Sequence, residues 1–154
     1  MDDIEKKIKN LSFLLDSNKK EDFADLSNCK FIIYFYPKDD TPGCTKEAIA
    51  FNSQKKTIED LGFKIFGVSK DNIEKHKKFK SKYGLDFSLI SDENGDICNA
   101  FQVWVEKSMY GKKYMGIERS TFVIDKNFKI INSWRKVKVN GHVDEVVNFL
   151  KTLN

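Results

Sequence analysis

The sequence predicts an α/β fold, a central mixed sheet flanked by helices, and three observations predict it. Phe31-Ile-Ile-Tyr-Phe-Tyr36 is continuously apolar and aromatic, as a strand buried on both faces must be. Segments with apolar residues at helical spacing alternate with short apolar runs of strand length. Late in the chain, Ser120-Thr-Phe-Val-Ile124 and Lys129-Ile-Ile-Asn-Ser-Trp134 flank Asp125-Lys-Asn-Phe128, a hairpin signal.

In chain order, residues 1–30 are polar apart from residues 11–15, which read as an edge strand. Residues 31–36 form the central strand, and Pro37 ends it because proline has no N–H to give a ladder. Residues 45–61 read as one helix, with Ala48, Phe51, Ile58 and Leu61 on one face, and residues 63–69 as a second strand after the stop at Gly62. Residues 71–83 form a lysine-rich helix closed by Gly84. A short strand at 87–90, the turn Asn94-Gly95 and a short helix at 96–101 follow; residues 103–116 read as irregular. Gly141 precedes a last helix over 142–153, with Val143, Val146, Val147 and Leu150 on one face. The order β-α-β-α-β, then β-β-α, is that of a thioredoxin-like fold with an elaborated middle, expected as a single domain over residues 1–154.

Composition limits the function classes. The 40% hydrophobic content with 13 phenylalanines specifies a real core, and 154 residues suffice to bury roughly 70% of the unfolded surface. A net charge of +4 from 27 cations and 23 anions is too weak a bias to imply nucleic acid. The lysines of residues 70–82 read as a solvated helix face. Three cysteines without regular spacing do not make a secreted disulfide framework. No apolar run is long enough for a membrane span or a signal peptide, so a reducing cytoplasm is the expected address. His76 and His142 lack the spacing of a metal site, and neither metal nor other cofactor is expected.

The chemistry concentrates at Cys44. The motif Pro37-Lys-Asp-Asp-Thr41-Pro-Gly-Cys44 places a thiol between the end of the central strand and the first turn of a helix, where unpaired N–H groups and the positive dipole end favour the thiolate. The N–H groups of Gly43 and Cys44 can donate to a bound oxygen. The Thr41 hydroxyl can point at the thiolate or the substrate, and Pro37 and Pro42 stiffen the loop. Arg119, one of only two arginines among the 27 cations, opens a strand from which a forked guanidinium could reach the sulfur. Tyr36 adjoins Pro37 and is expected to border this site.

The run from Tyr34 to Ala48, with Met115-Gly-Ile-Glu-Arg-Ser-Thr-Phe-Val-Ile-Asp125 and Trp134-Arg-Lys-Val-Lys-Val-Asn-Gly-His142, resembles the peroxiredoxins, in the bacterioferritin comigratory protein or Q-type branch. The resemblance implies a thiol peroxidase that reduces hydrogen peroxide and organic hydroperoxides through a Cys44 sulfenic acid. It also implies an active-site set of Pro37, Thr41, Cys44 and Arg119, with Glu47 ordering the pocket.

The chain departs from that branch at the resolving cysteine. Many Q-type enzymes carry it where this chain has Ile49, and others where it has Lys80. Cys98, in the short helix, and Cys29, just before the central strand, are the remaining thiols. Both read first as structural, Cys98 as a buried residue and Cys29 at the far end of the sheet. The expected cycle is therefore one-cysteine, in a monomer or weak dimer, with thioredoxin, glutaredoxin or glutathione as reductant. The alternatives are a two-cysteine enzyme with Cys98 resolving, and a peroxide sensor or relay that forms mixed disulfides. The absence of a Cys-x-x-Cys pair argues against a disulfide reductase.

Overall fold

The computed structural model describes residues 2–153; Met1 and Asn154, the ends of the expected domain, lie outside the described residues. The first elements are α1 (Asp2–Ile8), β1 (Ser12–Leu15), β2 (Lys20–Asp22), a 3-10 turn (Phe23–Leu26) and β3 (Lys30–Phe35). Then come α2 (Pro42–Ser53), α3 (Lys55–Asp60), β4 (Phe63–Ser69), α4 (Ile73–Tyr83), β5 (Ser88–Ser91) and α5 (Asp96–Ala100). The chain closes with β6 (Trp104–Met109), β7 (Lys112–Ile117), β8 (Ser120–Ile124), β9 (Ile130–Trp134) and α6 (His142–Lys151).

Seven strands make one mixed sheet in the order β2-β1-β5-β4-β3-β8-β9, and β6 and β7 form a separate two-stranded ribbon. Strands β3, β4 and β5 run parallel, while β8 lies antiparallel to β3 with Phe35 opposite Ser120. Alternation along β3 divides the core. Phe31, Ile33 and Phe35 face Phe13, Phe66, Ile97, Cys98, Phe101 and Phe122 on one side of the sheet. Ile32, Tyr34 and Tyr36 face Cys44, Ala48 and Phe51 of α2 and Val143, Val146, Val147 and Leu150 of α6 on the other. All six are essentially inaccessible to solvent, as the uninterrupted apolar run requires.

Four expectations change. The single helix over 45–61 is two: α2 starts at Pro42, and α3 begins after Gln54, whose ψ of 4° departs from helical geometry. The Ser53 hydroxyl bonds back to the Ala50 carbonyl at this break, a local competitor of the helical ladder. The edge strand at 11–15 is an inner strand, because β2 pairs outside it. Residues 2–8 form a helix that buries Ile4 and Ile8 one turn apart. The stretch 103–116 is a regular ribbon turned by Tyr110 and Gly111, both at positive φ, the backbone of a tight hairpin. Its residues are largely solvated, so no apolar alternation marked them.

Candidate active site

The loop 36–41 leaves the carboxyl end of β3 and leads into α2, which packs on the Tyr34 side of the sheet. Tyr36 makes a last ladder bond to the Val68 carbonyl at 3.0 Å. Thr41 then adopts extended backbone as the N-cap of α2, with Pro42 at the first helical position, where a missing N–H costs nothing. The first helical bond runs from Thr45 N–H to the Thr41 carbonyl at 2.8 Å. The N–H groups of Gly43 and Cys44 lie ahead of it, at the positive end of the helix.

Cys44 is buried, with Sγ 3.3 Å from Arg119 Nη2. The register explains the meeting: with Ser120 opposite Phe35, Arg119 lies beside the point where the loop departs, and its odd position turns it to the α2 side. Arg119 Nη1 donates to Glu47 Oε1 at 2.7 Å, one turn along α2 from the thiol. One guanidinium therefore bridges sulfur and carboxylate, a forked use that lysine cannot reproduce. A Cβ on Gly43 would stand 3.4 Å from Arg119 Nη2, so the glycine lets the cation lie close over the helix start.

The electrostatics follow from burial. Glu47 is inaccessible, and desolvation pushes its carboxyl up to about 7 against the opposing pull of Arg119. Its Oε2 and the Tyr34 hydroxyl are buried without a hydrogen-bond partner among the described residues. Burial lowers Arg119, but the charges of Glu47 and Cys44 outweigh it and hold the guanidinium above its ordinary value. Burial pushes the Tyr34 phenol well up, so it stays neutral.

Other expected residues fall differently. The Thr41 hydroxyl donates to the Lys38 carbonyl at 2.9 Å, closing the loop on itself rather than pointing at the sulfur. Pro37 is exposed where β3 ends. The Tyr36 ring turns into the core and gives its hydroxyl to Asp39 Oδ1 at 2.6 Å, so it does not form the rim. Ile49 is 45% exposed and borders a groove of about 400 Å³ with Thr41, Pro42 and Tyr83. Lys80 is held in an ion pair with Asp16 at 3.0 Å. Cys98 is fully buried on α5 across the sheet from Cys44, and burial, then the Asp92 charge, pushes its thiol far up. Cys29 is half-buried at the opposite end of β3.

Two features had no sequence signal. Lys107 of β6 lays its stem over Gly116, where a Cβ would meet its Cδ at 3.2 Å. Burial, and then repulsion from Arg119, lowers its ammonium, with Cys44 opposing, so the ribbon brings a further cation to the site. His76, which lacks metal-site spacing in the sequence, meets Asp39 at 2.6 Å, with Asp71 close enough that ligand atoms of all three lie within 4.8 Å of one another.

A family model described as the AhpC/TSA family matches residues 4–133. The chain is 44% identical over 152 residues to a peroxiredoxin Bcp of Bacillus subtilis, covering 99% of this chain and 97% of that protein. It is 49% identical over 120 residues to a peroxiredoxin Bcp of Xanthomonas campestris, covering 78% and 75%. The chain belongs to the peroxiredoxin family. Its fold superimposes on a solved peroxiredoxin Q of Xanthomonas campestris with a TM-score of 0.90 at 41% identity, covering 96% of this chain and 93% of that one. A Xylella fastidiosa PrxQ structure gives 0.90 at 40% identity, covering 95% and 91%. The chain is thus a peroxidase of the thioredoxin-like fold. No helix among the described residues is long and apolar enough to cross a membrane.

Proposed function

We propose that Cys44 is the attacking thiol of a one-cysteine peroxidase acting on hydrogen peroxide and organic hydroperoxides. The observation that carries this reading is the Arg119 guanidinium shared between Cys44 Sγ and Glu47 at the start of α2. The Cys44 thiolate attacks one peroxide oxygen, an S–O bond forms and the O–O bond breaks. The other oxygen leaves as an alcohol or water after taking up a proton, and the sulfur is oxidised to sulfenic acid. Arg119 and the N–H groups of Gly43 and Cys44 stand where charge shifts onto the departing oxygen. Thr41 can serve as an acceptor there while its proton is held by Lys38. Pro37 and Pro42 restrict the loop, and Glu47 orients the guanidinium.

The cycle closes with an external thiol. It condenses with the sulfenic acid to a mixed disulfide and water, and a second thiol releases Cys44. Ile49 and Lys80 leave the two usual resolving positions without sulfur. Cys98 has the sheet between it and Cys44, so pairing the two needs a rearrangement of α2 or α5. Thioredoxin, glutaredoxin and glutathione fit the reductant role. Intact-mass analysis after one equivalent of peroxide tests the reading: the monomer should gain one oxygen at Cys44. A loss of two hydrogens mapping to a Cys44–Cys98 bond would overturn the one-cysteine cycle in favour of Cys98 as resolving thiol.

A further inference from the structure

Two consecutive aspartates precede Thr41, and each is fastened to α4. Asp40 is exposed, sits at a φ of 58°, and accepts from Lys82 on Oδ2 at 2.8 Å and from the Tyr83 hydroxyl on Oδ1 at 2.5 Å. An exposed pair of this kind contributes little. Asp39 is different. It is buried and accepts from the Tyr36 hydroxyl on Oδ1, while Oδ2 meets His76 Nδ1, both at 2.6 Å. His76 is fully buried, and its Nε2 meets the Ile90 carbonyl at 3.0 Å. Both ring nitrogens are therefore held, one against the Asp39 carboxyl and one against the Ile90 carbonyl. The Asp39 N–H donates to Asp71 Oδ2 at 2.8 Å, which also accepts from Ser69 at 2.6 Å. Asp39 thus uses both oxygens, His76 both nitrogens, and Asp71 Oδ2 takes two donors, so the cluster is a completed hydrogen-bond network rather than a cage for a cation.

Buried polar side chains are costly to desolvate, so the place of this pair is informative. It ties together the ends of β3, β4 and β5 and the first turns of α4, two residues from Thr41. We propose that Asp39 and His76 are positioning residues of the peroxidase reaction: their clasp fastens the loop to α4 and so sets where Thr41 and the first turn of α2 stand relative to Arg119. The proposal rests on Cys44 being the attacking thiol. The logic is geometric, since a displacement of the order of 1 Å at a reacting group can cost on the order of a hundredfold in rate.

The test compares two reactions of the same sulfur in the whole protein. Oxidation by hydrogen peroxide needs the aligned site, whereas alkylation by iodoacetamide needs only an accessible thiolate. Asp39→Asn keeps volume and the acceptor for Tyr36 but removes the charge, and His76→Phe fills the space without ring donors. Both should lower the peroxide rate by about tenfold or more while alkylation stays equal or rises, and His76→Gln, which retains a donor, should recover part of the loss. Should His76→Phe fail to fold, as judged by circular dichroism, Asp39→Asn decides. An unchanged ratio of the two rates in a folded Asp39→Asn protein overturns the proposal. So does failure of both variants to fold, which would assign the pair to the fold itself. Failure of the underlying reading is distinct, because peroxide would then be consumed equally by Cys44→Ser.

Discussion

Glu47 and His142 are two buried titratable residues on the α2–α6 side of the sheet, and they respond to pH with opposite signs. Burial raises Glu47 from 4.5 to about 7, so the folded protein keeps a proton that the unfolded chain gives up. That contribution is complete below 4.5 and is lost as pH rises through about 7, an effect of roughly 3 kcal/mol at most. Burial lowers His142, whose Nε2 meets the Thr121 hydroxyl at 2.7 Å, from 6.5 to about 4. Its contribution is complete above 6.5 and is lost as pH falls through about 4. In the native chain the two slopes offset each other. Glu47→Gln should therefore leave a protein that loses stability on acidification from pH 6.5 toward 4, and His142→Asn one that gains it. Urea midpoints across that range measure both; a Glu47→Gln slope equal to that of the native protein would refute the account of Glu47. For the reaction, Arg119→Ala should slow oxidation by peroxide about a hundredfold, and Arg119→Lys should restore little, because an ammonium cannot bridge sulfur and carboxylate as a fork. Stopped-flow oxidation rates decide this, and a fully active Lys variant would remove the forked geometry from the mechanism. At this scale the approach of Arg119 to Cys44 was legible, since the thiol opens a helix after the central strand and the arginine stands out among lysines, whereas Glu47 came only with the resemblance. Asp39 and His76 were not, because their contact exists only once α4 packs beside the loop.

Strands and helices were legible wherever one physical requirement dominated a segment. Strand β3 announced itself by burial on both faces, and α4 by its glycine stop at Gly84. The break at Gln54 and the β6–β7 ribbon escaped because the first depends on one serine hydroxyl and the second on a backbone turn with little burial beside it. The pairing of β3 with β4 contains its own test. Gly67 lies opposite Tyr34, and a Cβ there would meet Leu89 Cδ2 at 2.9 Å and the Tyr34 ring at 3.0 Å. The ring cannot move aside, since it stacks on Phe51 with centroids 4.4 Å apart. Gly67→Ala should destabilise the fold by about 1–3 kcal/mol through overpacking, measured by urea denaturation, despite the better strand propensity of alanine. A neutral or stabilising effect would mean that this face of the sheet is looser than its contacts imply.

For the molecule as a whole, the consequence of a sheet with Cys44 on one side and Cys98 on the other is that an oxidised Cys44 has no thiol within reach in the folded state. Without external thiol, further peroxide should convert the sulfenic acid to sulfinic acid, each step adding one oxygen to the intact mass. Supplying a thiol at the exposed position 49 sharpens the test. Residues 44 and 49 are separated by roughly 7.5 Å along the axis of α2 and lie on different sides of it, beyond the reach of a disulfide in an intact helix. An Ile49→Cys variant can therefore capture the sulfenic acid only if α2 unwinds. We expect oxidised Ile49→Cys to lose two hydrogens relative to its reduced form, to lose helical circular dichroism, and to resist conversion to sulfinic acid. Restoration of both signals by a small reducing thiol would complete the cycle. If the variant instead gains oxygens at the native rate and forms no disulfide, α2 is too firmly held to open. The fastening of its preceding loop to α4 by Asp39 and Asp40 would be the first place to loosen, and in Ile49→Cys combined with Asp39→Asn the step from sulfenic acid to disulfide should then be faster, although the oxidation that precedes it is slower.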